Sequence, residues 1–453
     1  IYPEISGGAD LVMFWWHHAA VLLKADHSPL RRFGFVTTSS ITQEFSGRVV
    51  AHHLRATPPI SIVMAIPNHP WTKATRGAAA VRIAMSVCAK GIHDGVLRQT
   101  LVEEGLDTDE PIITFSERFG QINPNLSVGV DMTSANKLLA NEGICYDGVK
   151  LHGRGFVLRA SEAPVLGLGH RANCDTVIRP YVNGRDLNQH SRGLMVIDLF
   201  GRHAEEVRRT FPEIYQHLLA TVKPVRDQNK RPSRRDNWWL FGENQPAMRS
   251  AVSGLGRFIA TTDTSRHRVF QFLDERVLCD DKVVICASGD PFLLGVLSSR
   301  PHVTWANHAG VRLGVGNDPV YASNRCFDPF PFPEAEPAVR IEIAELAEEL
   351  SAHRISVLNG NANLTITSIY NVLEKVQTGA RVNDLDLVDR EIFEQGLILV
   401  LKELHDKLDA AVAKAYGWPV DLTEEDILSR LVALNKQRAQ EEARGVVQWL
   451  RPD

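Results

Sequence analysis

The stretch "ISIVMAIPNHPWTKATRGAAAVRIAMSVCA" (60–89) decides the fold of the first part of the chain, because it holds two apolar runs separated by turn residues. The runs "ISIVMAI" (60–66) and "VRIAMSVCA" (81–89) are rich in β-branched and apolar residues, which predicts two buried strands. The loop between them (67–80) needs no crossover helix. The two strands are therefore expected to be adjacent and antiparallel.

The residues upstream of these strands alternate between helical and strand patterns. Residues 10–24 have apolar side chains near a 3.6-residue period, which predicts a helix that includes Trp15 and Trp16. "FGFVTTSS" (33–40) reads as a buried strand that ends in small polar residues, and residues 42–54 read as a second helix. The pattern indicates an α/β fold for residues 1–95.

The remainder of the chain divides into two further regions. Residues 96–335 have short strand-like runs with frequent glycine and proline, and aromatic and basic residues interleave there. Residues 336–453 are helical. One face of a first helix is formed by Ile343, Leu346, Ala347 and Leu350, and a single long helix is expected over about 387–416, with an apolar stripe of Leu397, Leu401, Leu404 and Leu408. Thr423 and Asp426 predict a capping box before the last helix.

Bulk composition excludes several classes of protein. The net charge of −4 over 453 residues means that any contact with nucleic acid comes from a local patch. No apolar run reaches the roughly 18 residues that a membrane span needs, so we expect no membrane segment. The six cysteines are scattered and form no C-x-x-C pair. This pattern argues against a zinc or other metal site and for a reduced chain in the cytoplasm.

The strongest candidate for binding is "KPVRDQNKRPSRRDNWWLFGE" (223–243), which has six basic residues and one acidic residue between positions 223 and 235, followed by two tryptophans. Lys and Arg neutralise phosphates, and an aromatic ring can stack on a base. The alternative is a solvated basic loop whose tryptophans are buried in a core. The candidate DNA-binding residues of this run are Lys223, Arg226, Lys230, Arg231, Arg234, Arg235 and Trp238.

Two further segments carry side chains that read base edges or hold phosphates. "IRPYVNGRDL" (178–187) offers Arg179, Tyr181, Asn183 and Arg185 around a turn at Asn183-Gly184. A hairpin whose polar residues satisfy one another explains the same pattern. "TSRHRVFQFLD" (264–274) offers Arg266, His267 and Arg268 before a strand-like run, with surface decoration as the alternative.

No motif for catalysis or cofactor binding is present. The chain has no G-x-G-x-x-G and no P-loop, and "GVGND" (314–318) does not stand between a clear strand and a helix. No Ser-His-Asp or Cys-His arrangement stands out, and no P-D…(D/E)-x-K arrangement of a nuclease is found in a plausible strand. We therefore assign no catalytic, cofactor-binding or metal-binding residue.

Seven segments, taken in order, resemble one family. They resemble the C-terminal portion of the class I S-adenosylmethionine-dependent DNA adenine-N6 methyltransferases of the MmeI-like (type IIL restriction–modification) group. The segments are "SGGADLVMFWW" (6–16), "RRFGFVTTSSITQ" (31–43), "RPYVNGRDL" (179–187), "NWWLFGE" (237–243), "FLLGVLSSRPHVTWA" (292–306), "CFDPFPFP" (326–333) and "AYGWPVDLTEEDILSRLVALN" (415–435).

The resemblance implies a partial Rossmann-like methyltransferase sheet, a target-recognition domain and a C-terminal helical domain. In the family's strand order 3-2-1-4-5-7-6, "FGFVTTSS" corresponds to strand 5, "ISIVMAI" to strand 6 and "VRIAMSVCA" to strand 7. The glycine-rich cofactor motif and the N-P-P-(Tyr/Phe) motif of the family are absent here, and Ser39 stands where the family usually has Asn. S-adenosylmethionine would thus be bound mainly by an N-terminal half, in the same polypeptide or a separate one.

The resemblance implies that this chain recognises a site in double-stranded DNA for an adenine-N6 methyltransferase and is inactive alone. The alternative is a non-catalytic specificity subunit that works with a separate catalytic chain. Residues 1–95 are expected to be the least stable part, because strand 5 would present an unpaired edge and Trp15 and Trp16 would lose packing surface.

Overall fold

A computed structural model describes residues 5, 7–71, 82–106, 108, 110–310, 312–313 and 318–451. The chain forms two compact units. Unit 1 comprises Ile1–Ala135 and Leu428–Val432, and unit 2 comprises Asn136–Ile427 and Ala433–Asp453. Most of the glycine-rich stretch 314–318, and the greater part of the loop between the first two predicted strands, lie outside the described residues.

Unit 1 contains the helices and strands predicted from its sequence, followed by two strands that were not predicted. The elements are α1 (Val12–Lys24), β1 (Arg32–Thr38), α2 (Glu44–Leu54), β2 (Ile60–Pro70), β3 (Arg82–Lys90), β4 (Gly95–Glu104) and β5 (Ile112–Gly120). Strands β4 and β5 form an antiparallel hairpin in which polar and exposed side chains predominate. Such strands lack the apolar run that marks a buried strand in a sequence.

One five-stranded sheet with the order β1-β3-β2-β4-β5 organises unit 1. Strand β3 lies between β1 and β2 and is antiparallel to both, which confirms the expected pairing of β2 with β3. Strand β2 pairs with β4 in parallel. Because the sheet continues through β4 and β5, the first unit extends to Ala135 rather than ending at residue 95.

The core of unit 1 lies between this sheet and the two helices. Trp16 of α1 is fully buried and meets Phe33 of β1 edge-on, with 5.4 Å between the ring centroids. Val49 and Val50 of α2 and Cys88 of β3 complete the same cluster. Trp15, in contrast, is 65% exposed. The two tryptophans therefore have opposite environments, and α1 has an apolar surface that unit 1 does not cover.

Unit 2 contains several small sheets surrounded by helices. Its strands are β6 (Cys145–Asp147), β7 (Val157–Leu158), β8 (Ile178–Val182), β9 (Met195–Ile197), β10 (Arg257–Thr262), β11 (Gln271–Asp274), β12 (Leu278–Cys279), β13 (Val283–Cys286), β14 (Arg312–Leu313) and β15 (Asp318–Pro319). They form sheets of order β11-β10-β13-β6 and β12-β8-β9-β7, with β14 and β15 as a separate pair. A shared core that includes Phe156, Ile197, Phe258 and Val283 joins the two four-stranded sheets.

The α-helices after residue 135 have four to ten residues up to residue 326, and nine to 24 residues beyond it. They are α3 (Gly184–Asn188), α4 (Ala204–Thr210), α5 (Pro212–Thr221), α6 (Lys223–Asp227), α7 (Pro232–Asp236), α8 (Pro246–Val252), α9 (Pro291–Ser298), α10 (Arg300–Ala309), α11 (Ser323–Cys326), α12 (Pro337–Gly360), α13 (Ile366–Gln377), α14 (Leu387–Gln395), α15 (Ile398–Tyr416) and α16 (Glu424–Ala443). Within the described residues, no helix has the length and apolarity required to cross a membrane.

The prediction of one long helix over residues 387–416 is wrong. Gly396 and Leu397 separate α14 from α15, and Leu397 adopts a left-handed conformation with φ of 47°. Leu397 is 52% exposed, whereas Leu401 and Leu408 are buried as expected. The capping box before α16 is confirmed, since the Thr423 hydroxyl accepts from the Asp426 amide at 3.2 Å and donates to the Asp426 carboxylate at 2.6 Å.

Candidate nucleic-acid interface

The turn after β8 starts a helix, so the alternative interpretation of this segment as a hairpin is wrong. Asn183 Oδ1 accepts hydrogen bonds from the backbone amides of Arg185 at 3.0 Å and Asp186 at 3.3 Å, and the Asp186 carboxylate accepts from the Asn183 amide. This reciprocal cap starts α3 directly after the strand. Asn183 therefore serves the backbone, and the exposed Arg185 is left at the surface of the first turn.

Two of the three predicted segments meet at one groove in unit 2. The Asn188 amide donates to the Ser265 hydroxyl at 3.3 Å, and Gln271 donates to the carbonyl of Leu187 at 3.1 Å, which joins α3 to the β10–β11 connection. The space between them has a volume of about 490 Å³. Its walls are formed by Asn183, Gly184, Arg185, Asn188, Gln189, Asp263, Thr264, Asp280, Lys282 and Thr367.

The groove has two cations with polar partners and one carboxyl of altered acidity. Arg185 Nε donates to Gln189 Oε1 at 2.8 Å, and Lys282 Nζ lies 3.0 Å from Asp263 Oδ2. Burial raises the pKa of Asp280 to about 6, with a contribution from the neighbouring charge of Asp281. Asp280 therefore takes up a proton at a less acidic pH than an exposed aspartate does.

Lys282 was missed in the sequence because it follows Asp280 and Asp281. The turn between β12 and β13 places all three residues next to the groove, and Asp263 holds the Lys282 ammonium. In the sequence, two acidic residues before a lysine indicate a turn with a net negative charge. Only the pairing of β13 with β10 shows that the lysine lies beside Arg185.

The predicted basic run 223–235 divides into exposed and buried cations. Lys230, Arg231 and Arg235 are exposed. Lys223 pairs with Asp227 at 2.7 Å, and the Arg234 side chain is only 13% exposed and lies 3.5 Å from Glu243. Arg235 lies 3.5 Å from Asp236, but its side chain is 43% exposed and can still reach a phosphate backbone, whereas the Arg234 side chain is largely buried.

Arg226 and Trp238 require correction as DNA-binding residues, because both belong to the core. Arg226 is 1% exposed and donates to the carbonyls of Leu151 at 2.9 Å and Leu240 at 3.0 Å. Trp238 is 8% exposed and meets Tyr215 edge-on, with 5.5 Å between the ring centroids. The alternative interpretation of the tryptophan, burial in a core, therefore describes it correctly.

Tyr181 and Arg268 require the same correction. Tyr181 is 5% exposed, and burial beside Asp280 raises the pKa of its phenol. Arg268 is 6% exposed and donates to the carbonyls of Thr262 and Pro319, the latter at 3.0 Å. The Arg268 guanidinium joins β10 to β15 and does not reach solvent.

The remaining predicted residues are held by long-range contacts. Arg179 donates to the carbonyls of Arg276 and Glu275, both at 3.0 Å, and so ties β8 to the turn before β12. Arg266 pairs with Glu374 at 2.8 Å, and His267 Nε2 lies 2.7 Å from Asn371 Oδ1. Arg266 and His267 are thus at the protein surface but are attached to helix α13.

Lys150 lies within electrostatic reach of both the basic run and the groove. Glu243 contacts Lys150 at 2.8 Å and Arg234 at 3.5 Å. The hydrogen bond to Glu243 raises the pKa of Lys150, and the carboxylates of Asp281 and Asp147 add to this effect. Asp281 precedes Lys282 in the same turn, so a polar, charged surface extends from the groove toward α7.

The six cysteines are free thiols, and five of them are buried. Among the described residues no group of three or more His, Cys, Asp or Glu side chains could hold a metal ion.

Comparison with known proteins matches the segment that contains most of the groove's lining residues. Residues 134–334 match the family model described as MmeI, target recognition domain, which confirms the resemblance found in the sequence. No curated protein matches the chain.

Solved structures show a similar fold. The chain resembles the type IIL restriction–modification enzyme MmeI, solved in complex with DNA, with a TM-score of 0.72 and 19% sequence identity over 97% of this chain and 54% of that one. It thus spans about half the length of that enzyme. The type IIG restriction endonuclease BpuSI aligns with 92% of this chain and 53% of its own, at 9% identity and a TM-score of 0.29, which carries no argument.

Proposed function

We propose that the chain recognises a specific sequence in double-stranded DNA as part of a type IIL restriction–modification enzyme. The observation that carries this proposal is the match of residues 134–334 with the target recognition domain of MmeI. Those residues contain nine of the ten residues that line the groove, and the exposed cations of the basic run. The resemblance found in the sequence implies the same function.

The geometry supports different roles for the groove and for the exposed cations of the basic run. Lys230, Arg231 and Arg235 are exposed cations on and before α7, suited to phosphates, which position a protein without reading sequence. The groove combines Arg185 with the amides of Asn188 and Gln189, which are side-chain types that read base edges in the major groove. We therefore assign phosphate contact to the basic run and base recognition to the groove.

Replacement of Arg185 by Ala tests base recognition. We expect the affinity for the preferred sequence to fall by about 1–3 kcal/mol, while the affinity for unrelated duplexes changes little, because a bidentate arginine contact with guanine is worth that amount. Fluorescence anisotropy with the preferred and a scrambled duplex measures both. An equal loss on the two duplexes would assign Arg185 to a phosphate instead.

We also propose that unit 1 is the second half of a methyltransferase sheet. The order β1-β3-β2, with β3 antiparallel to both neighbours, supports the assignment of β1, β3 and β2 to strands 5, 7 and 6 of the family order. The reaction would be methylation of an adenine N6 after the base has left the stack, since the exocyclic amine is inaccessible inside a duplex. Residues 1–135 would then be the C-terminal half of the catalytic domain, residues 136–335 the target recognition domain and residues 336–453 the helical domain.

The polar cluster at the carboxyl end of β1 does not fit a site for S-adenosylmethionine. At the carboxyl end of β1, the Ser40 hydroxyl donates to Asp10 at 2.6 Å and the Thr38 hydroxyl donates to the same carboxylate at 3.2 Å. These polar groups satisfy one another, and the hydrogen bonds lower the pKa of Asp10. We propose that the cofactor is held by the part of the longer enzyme that this chain does not span, and that this chain alone does not methylate DNA.

The N-terminal half of the catalytic domain would bind at the open edge of β1. Among the described residues β1 pairs only with β3, so its other edge has unpaired backbone groups. Val36 of β1 is 54% exposed, and Leu11 and Trp15, just before and within α1, are 73% and 65% exposed. Exposed edges and apolar surfaces of this kind recruit partners. We propose that the chain lies in the cytoplasm, because its cysteines are free thiols and its partner would act on cellular DNA.

Hydrogen exchange on this chain tests the open edge. We expect the amides of Arg32–Thr38 to exchange faster than those of Arg82–Lys90, because β3 is paired on both sides and β1 on one. Strand β3 serves as the internal control, since it belongs to the same sheet. Equal, strong protection of β1 in a dilute monomer would mean that the sheet is complete without a partner.

A further inference from the structure

Helix α13 lies outside the matched target recognition segment but contributes to the groove within it. The helix spans Ile366–Gln377, beyond residue 334 where the match ends. Thr367, in its first turn, lines the groove with Arg185 and Lys282. A capping box between Thr365 and Ser368, with bonds of 3.0 Å and 2.8 Å, fixes the start of the helix at this position.

The polar side chains that α13 directs at this region form one stripe. Thr367, Asn371 and Glu374 are separated by four and three residues, a spacing that places them on one face of a helix. Asn371 contacts His267, and Glu374 contacts Arg266. The buried side of the helix is formed by other residues, among them Ile369, Val372 and Leu373. All three stripe residues therefore face the region that contains predicted DNA-binding residues.

We infer that α13 is a second wall of the DNA-recognition surface, with Thr367 determining part of the sequence specificity and Asn371 positioning His267. This inference rests on the proposed function and extends it to a helix outside the matched segment. A threonine hydroxyl both donates and accepts, and its methyl group can pack on a thymine methyl, so it can read a base edge.

The contact between Asn371 and His267 explains how Asn371 positions the His267 ring. When Asn371 Oδ1 accepts from His267 Nε2, the neutral imidazole has its acceptor at Nδ1. The amide thereby selects which ring nitrogen can accept from DNA. Loss of Asn371 leaves the His267 ring free to change its tautomer and orientation. The resulting change in base preference should therefore match the change caused by loss of His267 itself.

Selection from a randomised duplex pool tests the inference on the full chain. We compare the unchanged chain with five variants by sequencing the DNA that each one binds. The variants are Thr367→Val, Thr367→Ser, Asn371→Leu, His267→Leu and the double variant that combines Asn371→Leu with His267→Leu. We expect Thr367→Val to lower discrimination roughly fivefold to tenfold at one or two base pairs, with Thr367→Ser retaining most of it. Asn371→Leu and His267→Leu should alter the same base pairs, and the double variant should add nothing further.

Control variants separate specificity from folding. Thr378→Val removes a hydroxyl at the other end of α13, where it bonds to the carbonyls of Glu374 and Lys375, and should leave the selected sequence unchanged. The melting temperature and the salt dependence of binding should be the same for Thr367→Val and the unchanged chain.

The outcomes distinguish the inference from the proposed function. An unchanged selected sequence for Thr367→Val and Asn371→Leu, with the unchanged chain showing a clear preference, overturns the inference alone. Weakening that is equal on all sequences assigns α13 a bracing role and also overturns it. Failure of the unchanged chain to enrich any sequence contradicts the proposed function, and the inference fails with it.

Discussion

Replacing Lys230, Arg231 and Arg235 together by glutamine is expected to weaken DNA binding and to flatten its dependence on salt. These three cations of the basic run are exposed, whereas Arg226 and Arg234 are held within the protein. Each phosphate contact that is lost lowers the slope of log K against log salt by about 0.9 for duplex DNA. Three contacts correspond to a fall in slope of up to about 2.7.

Binding to a labelled duplex at several salt concentrations measures this slope. A matched control replaces Lys402, Lys407 and Lys414 of α15 by glutamine, which removes the same charge from a helix far along the sequence whose lysines pair with Asp406, Glu403 and Glu342. The control should change the slope by a small amount. A slope that is unchanged in the first variant, or equally changed in both, would contradict phosphate contact by the basic run.

Replacing Arg268 by Met is expected to destabilise unit 2 strongly without a specific effect on DNA contact. The guanidinium donates to the carbonyls of Thr262 and Pro319 and lies over the ring of Tyr321, 5.1 Å from its centroid. Methionine fills much of the volume but removes both guanidinium hydrogen bonds, and the Pro319 carbonyl keeps only the longer bond from the Ser265 amide, at 3.4 Å. A hydrogen bond from a charged donor contributes about 1.5–3 kcal/mol, so loss of the two bonds should cost about 3–5 kcal/mol.

Unfolding in urea compares this variant with Arg266→Met two residues earlier. Arg266 is exposed and pairs with Glu374 at the surface, where an ion pair contributes about 0–1 kcal/mol. We expect the Arg266 variant to stay within about 1 kcal/mol of the unchanged chain. Similar small losses for both variants would contradict the structural role of Arg268.

Local patterns in the sequence predicted the elements of unit 1 well. Apolar runs and periodicity gave α1, β1, α2, β2 and β3, because each buries one side against the same core. The strands β4 and β5 were missed because their exposed side chains, such as Leu101 and Phe119, leave no buried face to detect. Leu397 was misplaced because a left-handed residue interrupts a helical period without changing its composition.

The binding surface was predicted less completely, because charge in a sequence does not reveal where a side chain lies. Arg226 and Arg268 look like surface cations by composition, yet backbone carbonyls distant in sequence converge on them. Conversely, Lys282, Thr367 and Asn371 gave no signal, since they reach the groove or its neighbours only through strand pairing and helix packing. The segments were found, but their assignment to surface or core required the fold.

Hydrogen exchange of the chain with and without saturating duplex DNA tests the central claim most directly. We expect slower exchange in residues 183–192, 263–267 and 280–282 around the groove and in residues 229–235 of the basic run, with α15 and the outer face of α12 unaffected. Protection confined to unit 1 or to α12 and α15, with none at the groove, would contradict DNA recognition by this surface.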